Sequence, residues 1–238
     1  MDKVLLTIKK KFTAMCMASN IIFDVKGDLI MNDYIIFTDS TCDLDAEHIK
    51  ELGVKTIPLN FTYEGKSYID GAGLSYKDFY NLLREKKDIT TSQINAGTFI
   101  KEFEPYLKEQ KDILYIAFSS GLSGTYSSAK IAEADLQEKY PDRKIIVIDS
   151  LCASMGEGLL VHYAAEKKDN GASIEELAKW IENNKLSVCH WFTVDDLFHL
   201  KRGGRVSSVS ALLGTMLGVK PILHVDDAVK LIPMEKVR

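Results

Sequence analysis

The chain has 238 residues, 46% hydrophobic and 27% charged, with a formal net charge of −4. This is the composition of a soluble globular protein with room for one large domain or two modest ones. The negative charge opposes a protein built to neutralise a nucleic-acid backbone, and no apolar run approaches the ~20 residues that would insert stably across a membrane.

Cys16, Cys42, Cys152 and Cys189 are singletons without a C-x-x-C pair. They define neither a zinc site nor a disulfide framework, and are read as buried, reduced thiols of a cytoplasmic protein. Residues 1–30 begin with Val4-Leu5-Leu6, but Lys9-Lys10-Lys11 interrupts them before a signal-peptide core forms. They are expected to be an extension outside the core fold, with Met31 the expected natural start.

From Tyr34 the pattern alternates strand and helix. Tyr34 to Thr38 reads as a strand, Leu44 to Leu52 as a helix stopped by Gly53, and Val54 to Tyr63 as a strand with an irregularity at Pro58. Ser67 to Ile69 is expected to pair back on it. Ser75 with Asp78 opens a helix through Leu83, and Thr90-Thr91-Ser92-Gln93 reads as a polar hydroxyl loop. Asn95 caps a helix to about Leu107, and Ile113 to Phe118 is a strand leading into Ser119 to Thr125.

The next helix carries Ala129, Ala132, Leu136 and Tyr140 on one face. Ile145 to Ile148 is a strand apolar on both faces, and Met155 to Lys168 is a helix. Ser173 and Glu176 form a capping box, and Leu186 to Val194 is strand-like. Short helices are expected over Asp195 to Leu200 and Ser208 to Leu217, then a hairpin of Ile222 to Val225 with Val229 to Ile232. The alternation predicts an α/β fold, a mostly parallel sheet flanked by helices, with a ligand beyond the carboxyl ends of the strands. We expect an N-terminal α/β domain over 31–165 and a partial second α/β domain over 166–238, ending without a closing helix.

Four polar clusters carry candidate chemistry. Ser119-Ser120-Gly121-Leu122-Ser123-Gly124-Thr125 places small hydroxyls and backbone N–H groups at a helix start, where the dipole favours an anion, either carboxylate or phosphate. It lacks the spacing of a Walker A loop, a dinucleotide fingerprint or a nucleophile elbow. Thr91-Ser92 alone reads as a turn, and with Ser123 as half of a crevice. Lys201-Arg202-Gly203-Gly204-Arg205 is either an anion-binding basic loop or a solvated helix end. Asp39, ending the first strand, more often fixes a loop than catalyses or binds metal.

The five histidines show no metal-ligand spacing and are read as surface or satisfied core residues. Trp191, Phe192, Leu197, Phe198, Leu212, Leu213, Met216 and Leu217 are read as core, with an apolar pocket as the lesser reading.

Phe37-Thr38-Asp39-Ser40-Thr41, Ile57-Pro58-Leu59, Thr91-Ser92-Gln93, the Ser119 to Tyr126 run, Ile148-Asp149-Ser150 and Gly203-Gly204-Arg205-Val206 stand in the order of the DegV family, which the chain resembles from Met31 to Arg238. Gln93-Ile94-Asn95 departs from the Gln-Pro-Ser of many members. The resemblance implies a two-domain, non-enzymatic protein holding a long-chain fatty acid in an apolar tunnel, with no cofactor or metal. A separate fatty acid kinase phosphorylates the bound acid, and the acyl phosphate enters phospholipid synthesis. By motif, Thr91 and Ser123, with Ser92 adjacent, hold the carboxylate, and Arg205 contacts the head group or the kinase. The competing reading is a hydrolase or phosphotransferase using the Ser/Gly-rich loop, which needs a base near Ser123 or a metal near Asp39.

Overall fold

The computed structural model describes residues 21–23, 29–31, 34–194, 200, 202–205, 220–226 and 231–237. Strands β1 (Ile21–Phe23) and β2 (Leu29–Met31) pair antiparallel in a sheet of their own. They hold the described part of the expected 1–30 extension and pair it with Met31, the first residue beyond it.

Strand β3 (Tyr34–Asp39) runs into a 3-10 turn over Ser40–Cys42 and helix α1 (Ala46–Glu51), capped by Asp45. The expected single strand from Val54 to Tyr63 is two strands, β4 (Lys55–Ile57) and β5 (Asn60–Tyr63). Pro58, lacking an N–H, cannot continue a ladder, and the chain changes sheets there. After β6 (Lys66–Ile69) comes helix α2 (Tyr76–Arg84), whose N-cap Ser75 accepts the Asp78 N–H at 3.1 Å.

The expected hydroxyl loop is instead strand β7 (Ile89–Ser92), paired antiparallel to β5. Its Thr90, Thr91 and Ser92 are all exposed. With neither face buried the two-residue hydrophobic alternation is missing, although Ile and Thr are β-prone types.

Helix α3 (Ala96–Lys108) starts at Asn95, which accepts the Thr98 N–H at 2.9 Å. It leads to β8 (Asp112–Ala117), helix α4 (Thr125–Lys139), β9 (Ile145–Asp149), helix α5 (Met155–Asp169) and helix α6 (Ile174–Asn184), which opens with the expected Ser173–Glu176 capping box. Of the expected strand over Leu186 to Val194 only β10 (Trp191–Phe192) forms, because Lys185–Ser187 closes a 3-10 turn. β10 pairs antiparallel with β11 (Lys220–Val225), and β11 with β12 (Leu231–Val237). The helices expected at 195–200 and 208–217 lie, apart from Leu200, outside the described residues.

The central sheet is parallel, in the order β4-β3-β8-β9. Its strands are apolar on both faces because helices cover both. Tyr34, Ile36, Leu114, Ile116 and Ile148 face Leu160, Val161, Ala164, Ile174, Leu177 and Ile181 of α5 and α6. The alternate residues Phe37, Ile113, Tyr115, Ala117, Ile145 and Val147 face Phe99, Phe103, Ala129, Ala132 and Leu136 of α3 and α4. This is the α/β architecture expected from the alternating pattern. The expected 165/166 boundary falls inside α5, and α6 shares its apolar cluster, so one continuous core extends to Ile181.

Candidate functional site

The hydroxyl loop leaves β8 and enters α4, on the carboxyl side of the parallel sheet. Most of its backbone donors are spent on its own shape. Ser119 N–H donates to Cys152 O (3.1 Å), Ser120 N–H to Asp149 Oδ1 (3.1 Å) and Gly121 N–H to Ser119 Oγ (3.1 Å). Leu122 and Ser123 N–H both reach Ser119 O at 3.1 Å. The backbone donors expected to be open to a ligand are therefore reduced to the helix start, where Gly124, Tyr126 and Ser127 N–H have no acceptor among the described residues.

Ser123 is half-buried. Its Oγ accepts the Thr125 N–H at 3.2 Å and lies 2.9 Å from Thr125 Oγ1. Two hydroxyl hydrogens meet in one contact, so one is left over. Thr125 is fully buried and its Oγ1 already accepts the Ile94 N–H at 3.4 Å. Donation from Thr125 to Ser123 therefore frees the Ser123 hydrogen to point outward.

The strand carrying Thr91 and Ser92 is held against this loop by the residues that follow it. Ile94 bonds Thr125, and Gln93 Nε2 donates to Ser128 Oγ at 3.0 Å. A Cβ at Gly124 would lie 2.0 Å from Gln93 Oε1, so glycine there admits the glutamine. Ser92 Oγ is turned to Asn60 O at 3.4 Å. Arg205 is exposed, and its Nε donates to Leu122 O at 3.2 Å, while the same guanidinium reaches Gly203 O. The structure thus ties Gln93 and Ile94, which follow the Thr91-Ser92 strand, to the start of α4, and rests Arg205 on the Ser123 loop.

Asp39 fixes this end from below. It is fully buried and accepts from Tyr115 Oη (2.7 Å), Phe118 N–H (3.0 Å), Thr41 N–H (3.1 Å) and the Thr41 hydroxyl. The loop-fixing reading of Asp39 is the one this geometry bears out. Burial pushes its carboxyl above the usual range, against the opposing effect of these donors.

Glu157, which sequence reading missed, lies beside it. Also fully buried, it accepts from Thr38 Oγ1 (3.0 Å) and lies 2.8 Å from Thr41 Oγ1. Burial, then the charge of Asp39, raise its pKa well above that of an ordinary glutamate. Thr41 has a single hydroxyl hydrogen and two carboxyl neighbours. A protonated Glu157 donating to Thr41, which donates to Asp39, satisfies all three. The sequence signal was an acid between two helix glycines, Gly156 and Gly158.

A raised folded pKa means the native state holds a proton that the unfolded chain releases. That contribution to stability is complete below the unfolded value of about 4.3 and is lost as pH rises toward the folded value. Glu157→Gln reproduces the neutral hydrogen-bond pattern without the proton. Denaturant midpoints measured from about pH 5 to about pH 8 are expected to fall with pH in the wild type and to flatten in the variant. Parallel profiles would contradict a protonated Glu157.

A second feature is an open apolar cleft of about 890 Å³, lined by α2 (Tyr80, Leu83, Arg84), the start of α5 (Met155, Leu159), β10 (Trp191, Phe192) and Val225, with Leu200 and Arg202 at one side. Trp191 and Phe192, read from sequence as core, line this cleft, and Trp191 is exposed. Leu197, Phe198, Leu212, Leu213, Met216 and Leu217 lie outside the described residues. His190 also lines the cleft and accepts the Ala153 N–H on Nε2 at 3.3 Å, and burial lowers its pKa. Thr91, Ser92 and Ser123 are not among the lining residues.

Cys42 and Cys152 are buried as expected, whereas Cys189 is exposed. Among the described residues no group of three or more His, Cys, Asp or Glu is arranged around a metal position, and no helix is long and apolar enough to cross a membrane.

The fold and site define an α/β protein with a hydroxyl-rich loop beyond a strand end and, lined by other residues, an apolar cleft. The model of the DegV family, described as "Uncharacterised protein, DegV family", matches residues 34–238. A DegV domain-containing protein of Clostridium perfringens is 47% identical over 200 residues, 83% of this chain and 69% of that protein. The chain belongs to the DegV family. Among solved structures, DegV of Bacillus subtilis, a fatty acid binding protein, matches at 35% identity and TM-score 0.74 over 87% of this chain and 72% of that one. A stearic acid-binding protein of Eubacterium ventriosum matches at 28% identity and TM-score 0.80 over 86% and 71%.

Proposed function

We propose that this protein binds a long-chain fatty acid, its carboxylate on Thr91 and Ser123 with Ser92 and Arg205 beside them, and presents it in the cytoplasm to a separate fatty acid kinase that forms the acyl phosphate. The observation carrying this reading is the convergence of two hydroxyl-bearing segments, tied through Gln93, Ile94 and Thr125, with one hydroxyl hydrogen free to donate. Solved structures of the same fold are fatty-acid-binding proteins, which supports reading the anion as a carboxylate rather than a phosphate. The basic loop supports joining head group to chain, since Leu200 and Arg202 line the apolar cleft while Arg205, three residues on, touches the Ser123 loop. The cleft's volume is within the ~300–1,000 Å³ of small-ligand sites.

Neutral hydroxyls suit a carboxylate oxygen that must remain reactive, which a tight Lys or Arg ion pair would shield. Among the described residues the contacts of Ser123 Oγ are the Thr125 hydroxyl and amide, neither able to act as a base, and this favours binding over hydrolysis by the loop.

Removing hydrogen bonds to a charged group costs about 1.5–3 kcal/mol each, so Thr91→Ala with Ser123→Ala is expected to weaken palmitate binding by more than tenfold, with a moderate fall in stability because Ser123 Oγ also accepts from Thr125; affinity is therefore measured well below the variant's unfolding transition. Equal affinity would refute the carboxylate assignment. Incubated with ATP and oleate, the protein is expected to support acyl phosphate formation only when a fatty acid kinase is added. Turnover without a kinase would favour a phosphotransferase. Mass spectrometry of co-purifying lipid supplies the chain length.

A further inference from the structure

Away from the hydroxyl loops, α1 and α5 bring two imidazoles together. The rings of His48 and His162 are stacked, with centroids 5.2 Å apart and planes 10° from parallel, and His48 Nε2 lies 3.1 Å from His162 Nδ1. The two outer nitrogens face acids. His48 Nδ1 is 3.7 Å from Glu51 and His162 Nε2 is 3.9 Å from Glu166.

Neutral rings admit two arrangements of their protons. Facing a carboxylate favours an N–H on each outer nitrogen, which leaves two lone pairs opposed at 3.1 Å. Moving one proton inward makes an N–H···N bond but turns a lone pair toward Glu51 or Glu166. A cation on the two inner nitrogens would take up both lone pairs of the first arrangement and leave each outer N–H toward its acid. Side-chain exposures of 36% and 34% for the histidines open the position to solvent ions.

The spacing also suits a metal. Two metal–nitrogen bonds of 2.0–2.1 Å at a tetrahedral angle set their nitrogens about 3.3 Å apart. Imidazole pairs favour zinc, copper and nickel over magnesium or calcium. Glu51 and Glu166 stand behind the rings at 3.7 and 3.9 Å, longer than a hydrogen bond, and add negative charge beside the position. We propose that His48 Nε2 and His162 Nδ1 form a two-imidazole site for a divalent transition-metal ion of the zinc class, water completing its shell, which clips α1 to α5.

The test is a titration of the metal-stripped protein with zinc chloride, followed by calorimetry, and with cobalt, followed by visible absorption. Wild type is expected to take up one ion per chain. His48→Ala and His162→Ala should each weaken uptake by roughly tenfold or more, while His224→Asn should leave it unchanged. Unfolding in EDTA, expected to be similar for all four proteins, separates loss of the ligand from loss of the fold, and His162→Gln repeats the measurement should the alanine variant prove unstable. No stoichiometric zinc uptake by wild type, or undiminished uptake by folded histidine variants, overturns the proposal.

Discussion

Asp39→Ala is expected to lower the unfolding free energy by about 3–5 kcal/mol. The side chain accepts from four donors, of which the Tyr115 hydroxyl is fully buried and the Phe118 amide lies at the mouth of the hydroxyl loop. Alanine leaves these donors without an acceptor in a volume too small to hydrate freely, at about 1–3 kcal/mol for each buried group. Part of the loss is offset, since Asp39 also raises the pKa of Glu157 by its charge. For a chain of this length the net loss corresponds to a fall in Tm of roughly 6–20 °C. Asp39→Asn retains one carbonyl oxygen and should fall between the two, because its amide nitrogen must face either Thr41 or the Tyr115–Phe118 pair. Faster amide exchange at Phe118, with β9 unaffected, would locate the damage at the loop. A shift in Tm below about 2 °C would show that the network is dispensable.

Gly158→Ala is the second large effect. Helix α5 crosses the Ser40–Cys42 turn so closely that a Cβ at 158 would lie 2.5 Å from the Cys42 carbonyl oxygen and 3.0 Å from Leu44 Cδ2. A backbone carbonyl cannot swing aside like the end of a side chain, so the helix or the turn must shift. Alanine's helix propensity returns about 1 kcal/mol, yet the clash is with backbone and falls at the upper end of overpacking costs, so a net loss of about 1–2 kcal/mol is expected. The shift would also draw Glu157 away from Thr41, coupling the packing defect to the buried acid pair. Gly97→Ala in α3, whose nearest neighbour is Asn95 Oδ1 at 3.3 Å, is the control and should be close to neutral. Equal denaturant midpoints for the two variants would contradict the close approach.

Helix and strand identity in the parallel core was legible from sequence because those elements carry their own periodicity and caps. Ser75, Asn95 and Ser173 each cap the helix their spacing predicted, by bonds that span three residues. The Ser119 to Thr125 loop was legible for the same reason, as a local passage from strand to helix. Strand β7 was not, since its four residues bury no face and owe their conformation to pairing with β5. Glu157 was hidden because a lone acid in a helix declares its environment only when the element packed against it is known.

The sequence by itself determined the α/β alternation, the family and the residue types at the strand ends, since each is written in neighbouring positions within one or two turns of chain. Tertiary structure alone decided which loops meet, that Arg205 rests on Leu122 across 83 residues, and that Asp39, Thr41 and Glu157 share their protons. Those contacts join distant segments, and their energies depend on burial and on the partner's geometry, neither of which any local pattern encodes.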